Sequence, residues 1–165
     1  MKTVVLVGCG KAKLDHAAPA RDLYTGALFR KARAWAEREG DEWGILSAKH
    51  GLLMPDEIVE PYDLSLDRLA PDDYRQWRGR ARWQIVSRWP GRRWEDERGY
   101  VRLAGERFIC LASALYGAAF GKPGELVVLY PLAGLGIGKR LRFLGRGSGE
   151  ARGASARVST HNHLR

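Results

Sequence analysis

At 165 residues, with 45% apolar residues and a mass of 18.5 kDa, the chain has the length of one domain and enough apolar material for a core. No apolar run reaches the roughly 18 residues a membrane-spanning helix needs, so no membrane partner is expected. Twenty-eight Lys and Arg against nineteen Asp and Glu give a formal charge of +9, and a basic surface attracts phosphates, whether on nucleic acid or on nucleotides.

The chain enters directly into Thr3–Val7, a β-branched run read as a buried first strand; its apolar stretch is too short for a signal peptide. Gly8-Cys9-Gly10 then turns, and Lys11 and Lys13 follow. Asp22 is placed to cap a helix from about Leu23 to Glu39, with Leu28, Ala32 and Trp35 on one face and Gly40 ending it. A second buried strand is expected over Trp43–Ser47, and an extended loop held by Pro55 and Pro61 over 53–65. Pro71 suits the first turn of a helix over 72–89 whose apolar face is Tyr74, Trp77, Ala81 and Ile85. A charged connection spans 90–106. Further strands are expected at 108–112 and 126–130, and a short last helix ends near Phe143. Apolar strands alternating with helices define the expected fold, a single α/β domain over 1–144 with a mostly parallel central sheet flanked by helices. Residues 145–165, rich in Gly, Ser, Ala and Arg, are read as a disordered basic tail.

The two cysteines, each beside an apolar run, read as reduced thiols of a cytoplasmic protein, with Cys110 in the core and Cys9 the thiol to test for reactivity. No His or Cys spacing fits a structural zinc site, and neither a metal nor a cofactor is expected.

Three stretches carry candidate chemistry. Gly8-Cys9-Gly10-Lys11 fails the Walker pattern, because Val5 and Ala12 stand where a glycine and a Ser or Thr are required. It still offers backbone N–H groups and the Lys11 and Lys13 charges to an anion at a strand end, or else forms a tight turn with solvated lysines. Ser47, Lys49, His50 and Gly51 close the second strand, with Tyr62 nearby. There His50 supplies a group titrating near neutrality and Lys49 a cation or nucleophile, so these two are the candidate catalytic residues. No nucleophile-elbow pattern surrounds Ser47. In the helix over 72–89, Arg75, Arg78 and Arg82 recur at helical spacing beside Trp77 and Trp83. That pattern suits nucleic-acid contact or, equally, an amphipathic helix with a solvated basic side. Gly134, Gly136 and Gly138 have the wrong spacing for a dinucleotide fingerprint.

Tyr24-Thr25-Gly26, Leu46-Ser47 with Gly51-Leu52-Leu53 and Pro55, and Pro61-Tyr62 resemble, in order and type, the YaaA peroxide-stress protein family. The chain looks closer still to a related family of short, uncharacterised bacterial proteins that carry a Gly-Cys-Gly-Lys-x-Lys turn and a Ser-Ala-Lys-His-Gly-Leu segment. Leu111-Ala112-Ser113 with Tyr116, and the 131–138 stretch, also resemble blocks of these families. The resemblance implies an α/β fold and a link to DNA. It also draws Tyr24, Ser113 and Tyr116 into one candidate ligand set with Gly8, Cys9, Gly10, Lys11, Lys13, Ser47, Gly51 and Tyr62. The chain differs from YaaA proteins in being much shorter and in having His50 where the longer family has tyrosine.

Two functions are therefore expected in competition. One is a nucleic-acid-linked role, DNA binding or DNA protection under oxidative stress, with a phosphate-accepting pocket at the strand ends. The other is an enzyme acting on a nucleotide, nucleoside or modified base, for example by N-glycosidic cleavage or transfer. A non-catalytic sensor of the same ligand is a third reading. In each case the expected partner is nucleic acid or a nucleotide-like anion.

Overall fold

The computed structural model describes residues 2–90, 92–95, 101–104, 106–120 and 128–145. The chain opens with strand β1 (Lys2–Gly8), followed by the two-residue strand β2 (Ala18–Pro19), a one-turn helix α1 (Ala20–Leu23) and helix α2 (Ala27–Glu39). Strands β3 (Glu42–Ser47), β4 (Gly51–Leu53) and β5 (Ile58–Val59) lead to a 3-10 turn (Leu66–Arg68) and the long helix α3 (Pro71–Arg88). Strands β6 (Arg92–Glu95) and β7 (Val101–Ala104) precede β8 (Glu106–Leu111), helix α4 (Ala114–Gly117), a second 3-10 turn (Ala118–Phe120), strand β9 (Val128–Leu129) and helix α5 (Ile137–Leu144).

The central sheet has the order β4-β3-β1-β8-β9, parallel except for the antiparallel edge strand β4. This is a single α/β domain with a mostly parallel sheet covered by helices on both faces. Alternation along β1 explains the two layers, because successive strand side chains point to opposite faces. Val5 and Val7 face α2 with Phe29, Ala32, Trp35 and Ala36, while Val4 and Leu6 face α3 with Trp77, Ala81 and Ile85. Strands buried on both sides need an unbroken apolar run, and Val4–Val7 supplies one.

Several expected elements differ from the observed ones. The expected helix over 23–39 is broken at Tyr24, whose backbone is extended, and α2 begins only after Gly26. Asp22 caps nothing; it accepts a hydrogen bond from Arg33 at 2.7 Å. Burial of the Tyr24 ring outweighs helix continuity at this position, since the ring is 2% exposed. The expected loop from Leu53 starts as β4, because Gly51 makes a turn at φ +80° that reverses the chain onto β3. A Cβ there would meet the Gln84 side chain, which accepts from the Leu52 N–H and donates to the His50 carbonyl. The charged stretch after Pro90 contains the antiparallel pair β6–β7. Apart from Gly145, the expected disordered tail lies outside the described residues. Among the described residues, no helix is long and apolar enough to cross a membrane.

Candidate functional site

Parallel pairing in near-equal register brings three strand ends to one rim. Gly8 pairs with Leu46, Val7 pairs with Leu111, and the Cys9 N–H extends the ladder by donating to the Leu46 carbonyl at 2.9 Å. Gly8 is required for this closeness, because a Cβ there would lie 2.9 Å from Ala112 Cβ. The residues following the three strands, Cys9, the turn after Ser47, and Ala112–Ser113, therefore share the edge where open α/β sheets bind ligands.

A cavity of about 380 Å³ opens at this edge. Of the expected ligand residues, Gly8, Cys9, Gly10, Lys11, Lys13, Ser113 and Tyr116 line it. Its apolar lining comes from Leu28, Phe29 and Ala32 of α2 with Leu111 and Leu132. Its charged lining is Lys11, Lys13, Arg68 and Arg140 with Asp63 and Asp67. On the lining, Cys9 Sγ lies 3.1 Å from the Tyr116 hydroxyl.

Tyr24, Ser47 and Tyr62 do not line the cavity but support it. The Tyr62 hydroxyl lies 2.7 Å from Ser47 Oγ and 2.9 Å from the Tyr24 hydroxyl. Ser47 Oγ also accepts the His50 backbone N–H, and the Ser47 carbonyl accepts from Trp77 Nε1 at 2.9 Å. Two bonds join three hydroxyls, so in either polarity one hydroxyl proton is left over for another acceptor. Burial pushes the Tyr24 phenol up to about 12 and raises those of Tyr62 and Tyr116. At neutral pH these phenols are hydrogen-bonding groups, and none serves as a base.

The two tyrosine rings also fix a cation. Lys13 Nζ sits 4.3 Å from the Tyr62 ring centroid and 5.6 Å from that of Tyr24, and donates to the Gly10 and Lys11 carbonyls at 3.2 and 3.3 Å. One ammonium proton remains for a ligand. Lys13 is thus held in place before anything binds.

Lys49 and His50 are not on the cavity lining. Lys49 Nζ lies 5.8 Å from the Tyr62 ring centroid, and the His50 ring meets Tyr62 edge-on at 5.5 Å. His50 Nε2 is buried without a hydrogen-bond partner. Burial, reinforced by the Lys49 and Arg80 charges, lowers the His50 pKa and keeps the imidazole neutral at pH 7. Gly51 acts through its turn. The nucleic-acid candidates lie apart on α3: Arg75 pairs with Asp72 at 2.8 Å, Arg78 lies over the Tyr74 ring, and Arg82 donates to the Phe120 carbonyl. Trp77, read beside them as a stacking residue, is buried and stacks on Tyr74, whereas Trp83 is 68% exposed.

The cavity also recruits residues outside the candidate ligand set. Asp63, Ser65, Asp67 and Arg68 come from the loop before α3, and Arg140 from the first turns of α5. The loop is pinned on both sides of Asp63–Ser65, by the Tyr62 hydroxyl and by Leu66, which is 3% exposed. The alternating polar residues after Pro61-Tyr62 were the available signal for this rim. Nothing in the spacing of α5 distinguishes Arg140 from the neighbouring Lys139 and Arg142.

Fold and cavity define a three-layer α/β protein with an amphipathic, charge-lined pocket at the carboxyl ends of its parallel strands. The chain belongs to a family of unknown function, DUF6884, whose match covers residues 4–146. It is also similar to the uncharacterised protein YfjM of Bacillus subtilis (strain 168), with 29% identity over 160 residues, covering 88% of this chain and 95% of that protein. No solved structure matches. The family match corrects the resemblance to YaaA proteins: the shared short motifs belong to a different family, and the oxidative-stress role implied by YaaA loses its basis. Motifs such as Tyr24-Thr25-Gly26 and Pro61-Tyr62 are short, and here their tyrosines meet the demands of a buried hydroxyl cluster.

Proposed function

We propose that the chain binds a small, nucleotide-like anion in the strand-end cavity and is an enzyme acting on a nucleotide, nucleoside or modified base. The observation that carries this reading is the mixed lining, in which a fixed Lys13 with Lys11, Arg68 and Arg140 shares one cavity with the apolar Leu28, Phe29 and Ala32 of α2. Such a surface suits a ligand that is anionic at one end and flat or apolar at the other. The volume lies at the small end of the roughly 300–1,000 Å³ usual for ligand sites, which suits a single nucleotide-sized molecule. The nucleophile-capable side chains on the lining include Cys9, Ser65 and Ser113, and its carboxylates are Asp63 and Asp67. The Ser65 hydroxyl bound to Asp67 holds that carboxyl below its ordinary range, so it is ionised at neutral pH.

A thermal-shift screen with nucleotides, nucleosides and short DNA tests the binding. A nucleotide or nucleoside should raise the Tm by several degrees at millimolar concentration, and product analysis with the stabilising ligand then asks for turnover. Stabilisation by DNA alone would exclude the small-ligand reading.

A second reading, contact with nucleic acid through α3, is favoured by the exposed positions of Arg75, Arg78 and Trp83. It uses a different surface from the cavity.

A further inference from the structure

We infer that the strand-end cavity is a phosphomonoester site, taking a dianionic monophosphate borne on a nucleoside or a pentose. The phosphate would lie against Lys11, Lys13 and Arg140, and the neutral part against Cys9, Tyr116 and the α2 wall. This inference rests on the proposed small-ligand function and narrows it to one chemical class.

Charge is the first argument. Arg68 is offset by Asp63 at 3.7 Å, which leaves Lys11, Lys13 and Arg140 against Asp67, a formal surplus of two positive charges. A phosphate monoester carries about −1.5 to −2 at pH 7, whereas each internal diester of a nucleic-acid strand carries one negative charge, so the surplus matches a monoester. Donor geometry is the second argument. Lys13 keeps one ammonium proton after donating to two carbonyls, and among the described residues the Arg140 side chain makes one hydrogen bond, from Nε to the Leu135 carbonyl at 2.6 Å. Its two terminal guanidinium nitrogens are therefore available for the forked contact that phosphate oxygens accept. Lys11 is exposed, and its ammonium has no hydrogen-bond partner among the described residues.

The third argument sets the ligand's direction. Cys9, Ser113 and Tyr116 add no formal charge to the lining, and with Leu28 and Phe29 they suit a sugar or base better than a phosphate. The rim loop is anchored at Tyr62 and Leu66 on either side of the lining residues Asp63 and Ser65. One nucleotide unit fills such a volume without needing the loop to open.

Cys9 supplies the test. The sequence holds two cysteines, and Cys110 is fully buried, so alkylation of the intact chain by iodoacetamide reports on Cys9. A nucleoside monophosphate at millimolar concentration should slow alkylation at least tenfold, and the corresponding nucleoside less than twofold. Equal protection by ribose 5-phosphate would support the inference and identify a sugar phosphate as sufficient; weaker protection would support it with the base recognised as well. Lys13→Gln and Arg140→Gln should each remove protection by the monophosphate, measured as the ratio of each variant's own alkylation rates with and without ligand; an unchanged ratio would overturn the assignment of these cations. Equal protection by nucleoside and monophosphate would overturn the phosphomonoester inference while leaving the small-ligand function standing. Stronger protection by an oligonucleotide lacking terminal phosphates would also overturn it. A complete lack of protection, together with no thermal shift from any of these probes, would overturn the inference and the proposed function together.

Discussion

His50 shows how a residue chosen for its chemistry can be set by its packing. Its pKa is lowered below the ordinary 6.5, first by burial and then by Lys49 and Arg80, so folding favours the neutral ring. The folded state thus binds fewer protons than the unfolded chain near that pH, and stability rises with pH there. The contribution is complete above about 6.5 and is lost as pH falls from the unfolded pKa through the lowered folded one. The Tm measured from pH 8 to pH 5 should fall on the acid side, and His50→Gln should flatten that fall; an unchanged profile in the variant would remove His50 as its cause. Histidine type and position were plain in the sequence, but its neutrality arises from Tyr62, Lys49 and Arg80 gathering around it, which spacing does not encode. Cys9 is the converse case. Its place between two glycines at a strand end already marked it, and it lines the cavity.

The loop from Met54 to Ala70 is the element on which the site depends most. Tyr62 ties it to the end of β3 and to Tyr24, and Leu66 plants it in the core beneath α3. Tyr62→Phe keeps the ring under Lys13 but removes both hydroxyl bonds. Leaving Ser47 and Tyr24 without this partner should cost about 1–3 kcal/mol in chemical denaturation. It should also reduce ligand-induced stabilisation more than a distant substitution of equal cost does. A variant as stable as the parent would mean that the hydroxyl chain does not hold the loop. Helix α3 was legible in type, extent and buried face, because Trp77, Ala81 and Ile85 follow helical spacing and Pro71 marks the start. Helix α2 was legible over its whole length and in its stop at Gly40, but not the break that precedes it. The break at Tyr24 is made by a side chain 38 residues from its Tyr62 partner, so local propensity could not reveal it.

For the whole molecule, a charge of +9 is the property most open to direct measurement. If α3 contacts nucleic acid, affinity for a DNA duplex should fall steeply between 50 and 200 mM salt, each phosphate contact adding about 0.9 to the logarithmic slope. Replacing Arg75, Arg78 and Arg82 with alanine should lower that slope without altering ligand-induced protection of Cys9; an unchanged slope would exclude this face. The sequence by itself determined the α/β class, the buried parallel strands, the reduced-looking thiols and the strand-end turns, because these follow from apolar runs, helical periodicity and glycine placement within a few residues. Tertiary structure alone decided which polar residues meet. Sheet register brought Cys9, Ser47 and Ala112 to one edge, and the loop and α5 added Asp67, Arg68 and Arg140 from residues far along the chain. A pocket is a relation between distant segments, and the pairing that sets it is fixed by the packing of the whole sheet.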